Sequence, residues 1–524
     1  MRSVTAVGDR QPYPPNQPIT DDGTPVVSVA ARKAHADYPH RHQEIFPPAP
    51  ISTPTMASSS SSSLSPQQAI VRVRTDFDKA ALSFAVRYHG RMQFVGDTSS
   101  SSSQNPTNSS PTDTDTTVAQ TSAGSSSSSR PPGTSAWQLW WASVQQVRTA
   151  FGAEGASLRF KDDQLINHFP NHYELVRKDL MYKNLKRYIR DQVGGVLGST
   201  STATQSSSHF SAGVLSVANP HTGLRLIDCV PVTYSLPADF PLFVEEHKRL
   251  SGGSGAQPTW IVKPTNRSQG RGIFLIHRTS QITQWLRERS EEDDNSPFIV
   301  SRYVARPYLI ANRKFDLRLY VLVLSFKPLV AYWHEKGFAR FCGAEYAEPK
   351  FGDGDEELGA HLTNVALQKR EEGYNDSHGG KWAFEQLWLY IASIEGSDKA
   401  ASVLSDIHFL IVHSLRAVQT AILNDKHCFE LYGYDVLLDD ELRPHLIEIN
   451  SSPSLTVTTT TDRHVKQEVL LDTFRLVAPV ETSSSTGGGG VDGGGSSNVP
   501  YAEYRRLPQL QAPHKGGFHL LSCQ

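Results

Sequence analysis

The sequence predicts an α+β fold of mixed and antiparallel sheets with flanking helices, carrying long disordered tails and insertions. Three observations predict it. Strand-like and helix-like patterns alternate from Val230 to about Leu476. Within that span Leu404, Ile407, Ile411, Leu415, Val418 and Ile422 recur at steps of three or four, the single stripe of a helix packed on a core. In "YGYDVLLDDELRPHLIEINSSPSL", Tyr432–Leu455, two apolar runs flank an acidic turn, as in an antiparallel hairpin. His408 and His413 fall off the helical stripe and are expected at the surface.

Composition narrows the class. The 524 residues suffice for two or three domains, but Ser-, Thr- and Gly-rich tracts leave about 350 to 400 expected to be ordered. A formal charge of −2 lacks the uniform positive field of a general nucleic-acid binder, so none is expected as a partner and an acidic partner must meet a local basic patch. The cysteines at 229, 342, 428 and 523 show neither CxxC nor zinc spacing and suit free thiols in a reducing compartment. With no apolar h-region in MRSVTAVGDRQPYPP and no apolar run of about 18 residues, neither secretion nor a membrane span is expected. The expected location is cytoplasmic.

Low-complexity segments set the expected boundaries. Residues 1–66 form an N-terminal tail, because their composition cannot bury enough apolar surface to offset chain entropy. A first subdomain covers 67–190, with "VRVRTDFDKAALSFAVRYHGRMQFVG" (71–96) as a small α/β element and 97–135 as a disordered insertion. A flexible insertion spans 191–224, a central subdomain 225–312, a C-terminal subdomain 313–478 and a disordered tail 479–524.

Three stretches carry chemistry. In "RKFDLRLYVLV", Arg313–Val323, alternation puts Lys314, Asp316 and Arg318 on one face of a strand and Phe315, Leu317 and Leu319 on the other. Alone, this could be a solvated surface strand. In the Tyr432–Leu455 hairpin, a turn near Asp440–Arg443 puts Asp435 opposite Glu448. Leu446, Glu448 and Asn450 would share one face, with Ile447 and Ile449 on the other. Burying two carboxylates together is costly, and a hard divalent cation such as Mg²⁺ relieves the cost; a solvent-facing acidic hairpin is the plain alternative. The "NSS" at Asn450 matches a glycosylation sequon but is discounted in a cytosolic chain. Third, "TWIVKPTNRSQGRGIFLI", Thr259–Ile276, reads as a strand delivering Lys263, a loop with Gly270 and Gly272, and a second strand. Its backbone N–H groups, Lys263 and Arg271 could approach phosphate. It is neither a Walker A motif nor a Rossmann turn, and an ordinary glycine hairpin would look the same.

A strand lysine with a glycine loop, a Lys/Asp/Arg strand face and then an Asp…Glu-x-Asn hairpin follow the order of an ATP-grasp active site. The chain resembles the tubulin tyrosine ligase-like amino-acid ligases, most closely the tubulin polyglutamylases. The resemblance rests on "INHFPNHYELVRKDLMYKNLKRYIR", "VPVTYSLPADFPLFVEEHK", "HLTNVALQK", "HGGKW", "NDKHCFELYGYDVLLDD" and "LIEINSSPSLT", spread over residues 137–476. The Ser/Thr insertions and both tails depart from it.

The resemblance implies an ATP-grasp-type fold and ATP and Mg²⁺ as cofactors. Lys263, Gln269 and Gly270 would hold ATP phosphates, and Ser301, Arg302, Tyr303 and Val304 the hinge strand beside adenine. Lys314, Phe315 and Asp316 would line the nucleotide pocket, with Arg318 facing phosphates and Thr363 and Asn364 contacting nucleotide. Arg340 and Lys381 would bind the incoming amino acid; Asp435, Glu448 and Asn450 would hold Mg²⁺. The implied reaction activates a tubulin-tail glutamate carboxylate as an acyl phosphate and joins it to free L-glutamate, with Glu448, Arg318 and Lys263 carrying catalysis.

The implied partners are the acidic C-terminal tails of tubulin in microtubules and accessory polyglutamylase subunits, and the implied location is the cytoskeleton of a cilium or flagellum, in the axoneme or basal body. Arg177, Lys178, Lys183, Lys186, Arg187 and Arg190 form a helical basic segment suited to such tails, or a merely solvated face. A glycine or tyrosine ligase on the same scaffold, and a microtubule-binding scaffold without catalysis, remain alternatives.

Overall fold

The computed structural model describes residues 70–77, 79–95, 137–152, 159–194, 217–252, 257–265, 270–288, 297–349, 358–369, 380–478 and 514–521. The expected tail 1–66, the insertion 97–135 and residues 195–216 of the expected insertion 191–224 lie outside them; of the tail 479–524 expected to be disordered, residues 514–521 instead carry two strands paired into a sheet. Three sheets organise the described chain.

The first sheet is parallel. β1 (Val71–Thr75), β2 (Met92–Phe94), β3 (Leu139–Trp141) and β4 (Leu165–Ile166) pair in the order β2-β1-β3-β4. Helix α1 (Ala80–Tyr88) connects β1 to β2 and buries Ala81, Leu82, Ala85 and Val86, one stripe of a 3.6-residue period, so residues 71–96 form the α/β element expected. Helix α2 (Val144–Phe151) starts where the Ser143 side chain accepts from the Gln146 N–H. After β4 come the single turn α3 (Tyr173–Val176) and α4 (Lys178–Gly194).

The second sheet is antiparallel, in the order β5-β8-β6-β7, built from β5 (Thr233–Leu236), β6 (Trp260–Pro264), β7 (Phe274–Ile276) and β8 (Phe298–Arg302). Helices α5 (Phe240–Ser251) and α6 (Thr279–Glu288) belong to this unit, whose core gathers Phe243, Trp260, Val262, Ile276, Ile282 and Val300.

The third sheet dominates. β9 (Leu309–Ile310), β10 (Arg313–Phe326), β11 (Leu329–Phe341), β12 (Lys381–Ala383), β13 (Glu430–Leu438), β14 (Pro444–Asn450), β15 (His514–Lys515) and β16 (Phe518–Leu520) pair antiparallel, along the path β14-β13-β10-β11-β16-β15. Its helices are α7 (Val365–Gln368), α8 (Phe384–Glu395), α9 (Ser397–Val418) and α10 (Thr460–Val477). Strand β10 shows how one sequence serves two cores and a site. Phe315, Leu317, Leu319, Val321 and Val323 face the core that holds α8 and α9. On the other face Tyr320, Leu322 and Leu324 enter the core that holds α1 and α10. That second face is charged up to Arg318 and apolar from Tyr320 onward, so one end of a core strand is left for chemistry.

Helix α9 has the length and apolarity of a membrane-crossing helix, but 67% of its most apolar window is buried inside the protein. It also corrects two expectations. His408 is not a surface residue; its ring lies 4.6 Å from that of Trp333. His413 is likewise half-buried and bonds the Tyr188 hydroxyl at 2.8 Å. A helix enclosed on several sides gives its off-stripe positions neighbours too.

The register of β10 on β11 shifts just past Leu319, which pairs with Gly337. A Cβ at Gly337 would stand 2.6 Å from the Arg318 carbonyl oxygen, a backbone atom that cannot swing away. Gly337→Ala is therefore expected to destabilise the fold by about 1–3 kcal/mol as overpacking; an unchanged urea midpoint would show that the strands separate at no cost.

Candidate active site

The charged end of β10 meets charged residues on both neighbouring strands. Asp316 pairs in register with Arg340 on β11, Arg318 with Asp435 on β13, and Asp435 with Glu448 on β14. Cross-strand neighbours on one face lie close enough to touch, and these do. Arg318 grips Asp435 with two bonds, Nε–Oδ1 at 2.6 Å and Nη2–Oδ2 at 3.0 Å. Arg340 grips Asp316 in the same two-pronged way and also reaches Asp435 Oδ2 at 2.8 Å. Thr363 Oγ1 donates to Asp316 Oδ2 at 2.7 Å. The result is a continuous chain, Asp316–Arg340–Asp435–Arg318, with its side chains almost wholly removed from solvent.

Beside this chain lies a cleft of about 1130 Å³, counting its open mouth. Its walls bring together distant parts of the sequence: Lys263 from β6, Gly270 from the glycine loop, Ser301 to Val304 from the end of β8, and Lys314, Asp316 and Arg340 from β10 and β11. Thr363 and Asn364 close one side, Asp435 and Glu448 another. Gly270 has φ +74°, and a Cβ there would come within 2.7 Å of Leu367 Cδ1 and 3.2 Å of Asn364 Oδ1, so only glycine fits.

The electrostatics set lysines against carboxylates. Burial pushes the ammonium groups of Lys263 and Lys314 down to about 8. Lys314 donates to the Tyr303 hydroxyl at 2.9 Å, which bonds His361 Nδ1 at 3.0 Å. Burial by itself would raise the Glu448 carboxyl, but Lys178, 3.2 Å away, and Lys263 hold it well below the usual carboxylate range. In Asp435 burial prevails and pushes the carboxyl up against the pull of Arg318 and Arg340.

Several sequence expectations change. The Phe315 side chain does not line the cleft; it packs into the opposite core, 5.2 Å from the Phe341 ring. Arg318 is not among the residues that line the cleft; two bonds pair its guanidinium with Asp435, which is. Strict alternation fails in β14: Leu446 pairs with Val436 and Glu448 with Asp435, so Ile447 is an extra residue in a β-bulge. Leu446 and Ile449 consequently share one core. Asn450 stands next to Glu448, donating to its Oε1 at 3.3 Å, but is not a cleft-wall residue. Lys381 also stands outside the cleft, paired in register with Arg340. Gln269 lies outside the described residues.

Lys178, which the sequence places in the basic tail-facing segment, instead lines the cleft and pairs with Glu448. Its spacing to the buried Met181, Leu185 and Ile189 is three, then four and four, so it starts the inward stripe of α4, and that is the signal that could have found it. His361 carried no such signal.

The sequence model of the Tubulin-tyrosine ligase family matches residues 156–486. Among curated relatives, "Probable alpha-tubulin polyglutamylase Ttll1" of Tetrahymena thermophila is 41% identical over 352 residues, covering 66% of this chain and 78% of the relative. "Probable tubulin polyglutamylase ttll-9" of Caenorhabditis elegans is 35% identical, covering 64% of this chain and 72% of its own. "Probable tubulin polyglutamylase TTLL9" of Rattus norvegicus is 36% identical, covering 65% and 73%.

Lys178→Met removes a close partner of Glu448. A carboxyl held low when folded stabilises the protein above its unfolded value of 4.5, and that stabilisation is lost as pH falls. The variant should be about 1–3 kcal/mol less stable than the parent near neutral pH, with the gap closing in acid. A gap independent of pH would show that Lys178 acts by packing alone.

Proposed function

The chain belongs to the tubulin-tyrosine ligase family, and is thus an enzyme of the ligase class. On that footing we propose that it is an ATP-dependent tubulin polyglutamylase with an ATP-grasp-type fold, joining free L-glutamate to glutamate side chains on tubulin C-terminal tails. The observation that carries this reading is one cleft whose walls combine two buried lysines with the paired carboxylates Asp435 and Glu448. The polyglutamylase names of the relatives support tubulin as the protein substrate.

The donor set fits a divalent cation. Asp435 and Glu448 are opposed in register, and burial pushes the carboxyl of Asp435 up against the pull of the two arginines beside it, so a further cation there would favour its ionised form. Asp435, Glu448 and Asn450 would hold Mg²⁺, whose bound charge would offset that of the phosphates. Lys263 and Lys314 supply two more positive charges in the cleft, and the backbone at Gly270 can approach a phosphate closely. Arg318 keeps Asp435 oriented from outside the cleft.

In the reaction, an oxygen of the acceptor carboxylate attacks the γ-phosphorus of ATP and ADP leaves, giving an acyl phosphate. The amine of glutamate then attacks the acyl carbon, inorganic phosphate leaves, and the amine gives a proton to solvent. Catalysis consists of charge neutralisation and the positioning of two substrates, so no nucleophilic side chain is required.

For the acceptor, α4 presents the exposed Lys183, Lys186 and Arg190. The cationic face is narrower than the sequence suggests, because Arg177 is paired with Asp179, Arg190 with Asp191, Arg187 with Asn184 and Lys178 with Glu448, which leaves Lys183 and Lys186 as its exposed lysines. Those exposed cations suit an acidic tail. Action on microtubules of a cilium or flagellum, with accessory subunits, completes the proposal.

The full-length chain incubated with tubulin, ATP, Mg²⁺ and a mixture of glutamate, glycine and tyrosine should add glutamate alone, as read by mass spectrometry of the tails. Glu448→Gln should keep its fold and lose about a hundredfold or more of that ligation; addition of glycine or tyrosine, or an active Glu448→Gln protein, would refute the assignment. A second expectation follows from the lysines. Phosphate charge favours their protonated forms, so ATP binding above pH 8 should take up protons and weaken as pH rises. Calorimetry in buffers of different ionisation enthalpy reads the uptake, and no uptake would exclude Lys263 and Lys314 from phosphate contact.

A further inference from the structure

Two histidines and a glutamate meet outside the cleft. Ile166, the last residue of β4, bridges Cys428 in parallel: its N–H donates to the His427 carbonyl at 2.8 Å and its carbonyl accepts the Phe429 N–H at 3.1 Å. Two residues further along each segment, His168 stands beside Glu430, the first residue of β13, with Nδ1 3.0 Å from Oε1. A turn then brings His172 back to the same place, its own N–H donating to the Phe169 carbonyl at 3.2 Å. One ligating atom from each of His168, His172 and Glu430 lies within 4.8 Å of those of the other two, and all three residues are buried.

The outer atoms of the trio are already held. Glu430 Oε2 accepts from the Phe169 N–H and from the Tyr432 hydroxyl, both at 3.2 Å, which leaves Oε1 on the inner side. His172 Nδ1 donates to the Phe169 carbonyl at 3.0 Å, so in the neutral ring Nε2 keeps the lone pair, and among the described residues that atom has no hydrogen-bond partner. On His168 the inner atom is Nδ1; Nε2 lies 3.4 Å from Ser452 Oγ and donates there when Nδ1 carries the lone pair. Hydrogen bonds of this kind to the far atom of each ligand fix tautomer and ring orientation at metal centres. Burial keeps both imidazoles in the uncharged form that ligates, lowering His168 to about 4 and His172 in the same direction.

The donor set selects the ion. Imidazole nitrogens do not suit Mg²⁺ or Ca²⁺, which take oxygen, whereas two imidazoles and one carboxylate with a fourth position open are a zinc ligand set. Tetrahedral Zn²⁺ holds its donors about 3.4 Å apart, so the 3.0 Å pair opens slightly and the widest separation closes by no more than about 1.4 Å, within reach of side-chain rotation. A path for the ion is present: Ser452 is exposed, and with Asn167 and Leu431, the chain neighbours of His168 and Glu430, it lines a second cavity of about 750 Å³, counting its open mouth. We propose that His168, His172 and Glu430 bind one Zn²⁺, a structural ion that clamps the turn after β4 to the start of β13 and is separate from the Mg²⁺ position proposed in the cleft.

The test is calorimetric titration of Zn²⁺ into the full-length chain after a chelator has stripped it, with excess Mg²⁺ and a non-hydrolysable ATP analogue present to occupy the cleft. One Zn²⁺ per chain should bind with a Kd below about 1 μM. His172→Gln should weaken that binding about a hundredfold or more and leave the Kd of the analogue within about twofold. No bound Zn²⁺ in the parent chain, or an unchanged Zn²⁺ Kd in a folded His172→Gln protein, would overturn the site and leave the ligase reading intact. Should the variant fail to fold, the parent chain decides by X-ray absorption at the zinc edge, where the bound ion should show the scattering of two imidazole rings. Fewer than two imidazoles around the ion would overturn the proposal, as for Zn²⁺ held by the cleft carboxylates. Failure of the analogue to bind would instead strike the ligase reading, on which the zinc site does not depend.

Discussion

Everything at the site depends on Asp435 being held by Arg318. Both sit in a sheet whose other positions are among the most deeply buried in the protein, and a carboxylate there is tolerable only with its counter-charge fixed in place. The two-pronged contact fixes it, and Arg340 extends the arrangement to Asp316. Because these residues are in register across β13, β10 and β11, the strand pairing that builds the core also sets the spacing of the charges. Fold and site are in that sense one structure.

Burial governs the remaining chemistry in the same way. It lowers Lys263 and Lys314 to about 8 and pushes the carboxyl of Asp435 up against its two arginines. Away from the cleft it acts in the same direction on Glu430. There a fully buried carboxyl, pushed up to about 8, is satisfied by His168 Nδ1 at 3.0 Å, the Phe169 N–H at 3.2 Å and the Tyr432 hydroxyl at 3.2 Å. That group ties β13 to the segment after β4.

Much of this was legible in the sequence, for physical reasons. The period of two in Arg313–Val323 and the acidic turn after Leu438 specify β10 and the β13–β14 hairpin, and with them the opposition of Asp435 and Glu448. What escaped was whatever depends on tertiary neighbours. No local pattern announces the bulge at Ile447, which upsets the face assignment of β14. Nor can a sequence show that Arg318 would turn to Asp435 rather than to the cleft, or that His408 would find Trp333. Lys178 differs, since its helical spacing to Met181 marks it as inward-facing within a run of basic residues.

The central claim is that Asp435 and Glu448 jointly grip a divalent cation with a nucleotide. Mn²⁺ in place of Mg²⁺ allows electron paramagnetic resonance to count the bound ion directly in the presence of an ATP analogue. The account predicts one nucleotide-dependent Mn²⁺ in the parent chain and its loss when Asp435→Asn and Glu448→Gln are combined in a protein that remains folded. Full retention of that ion in the folded double variant would contradict it.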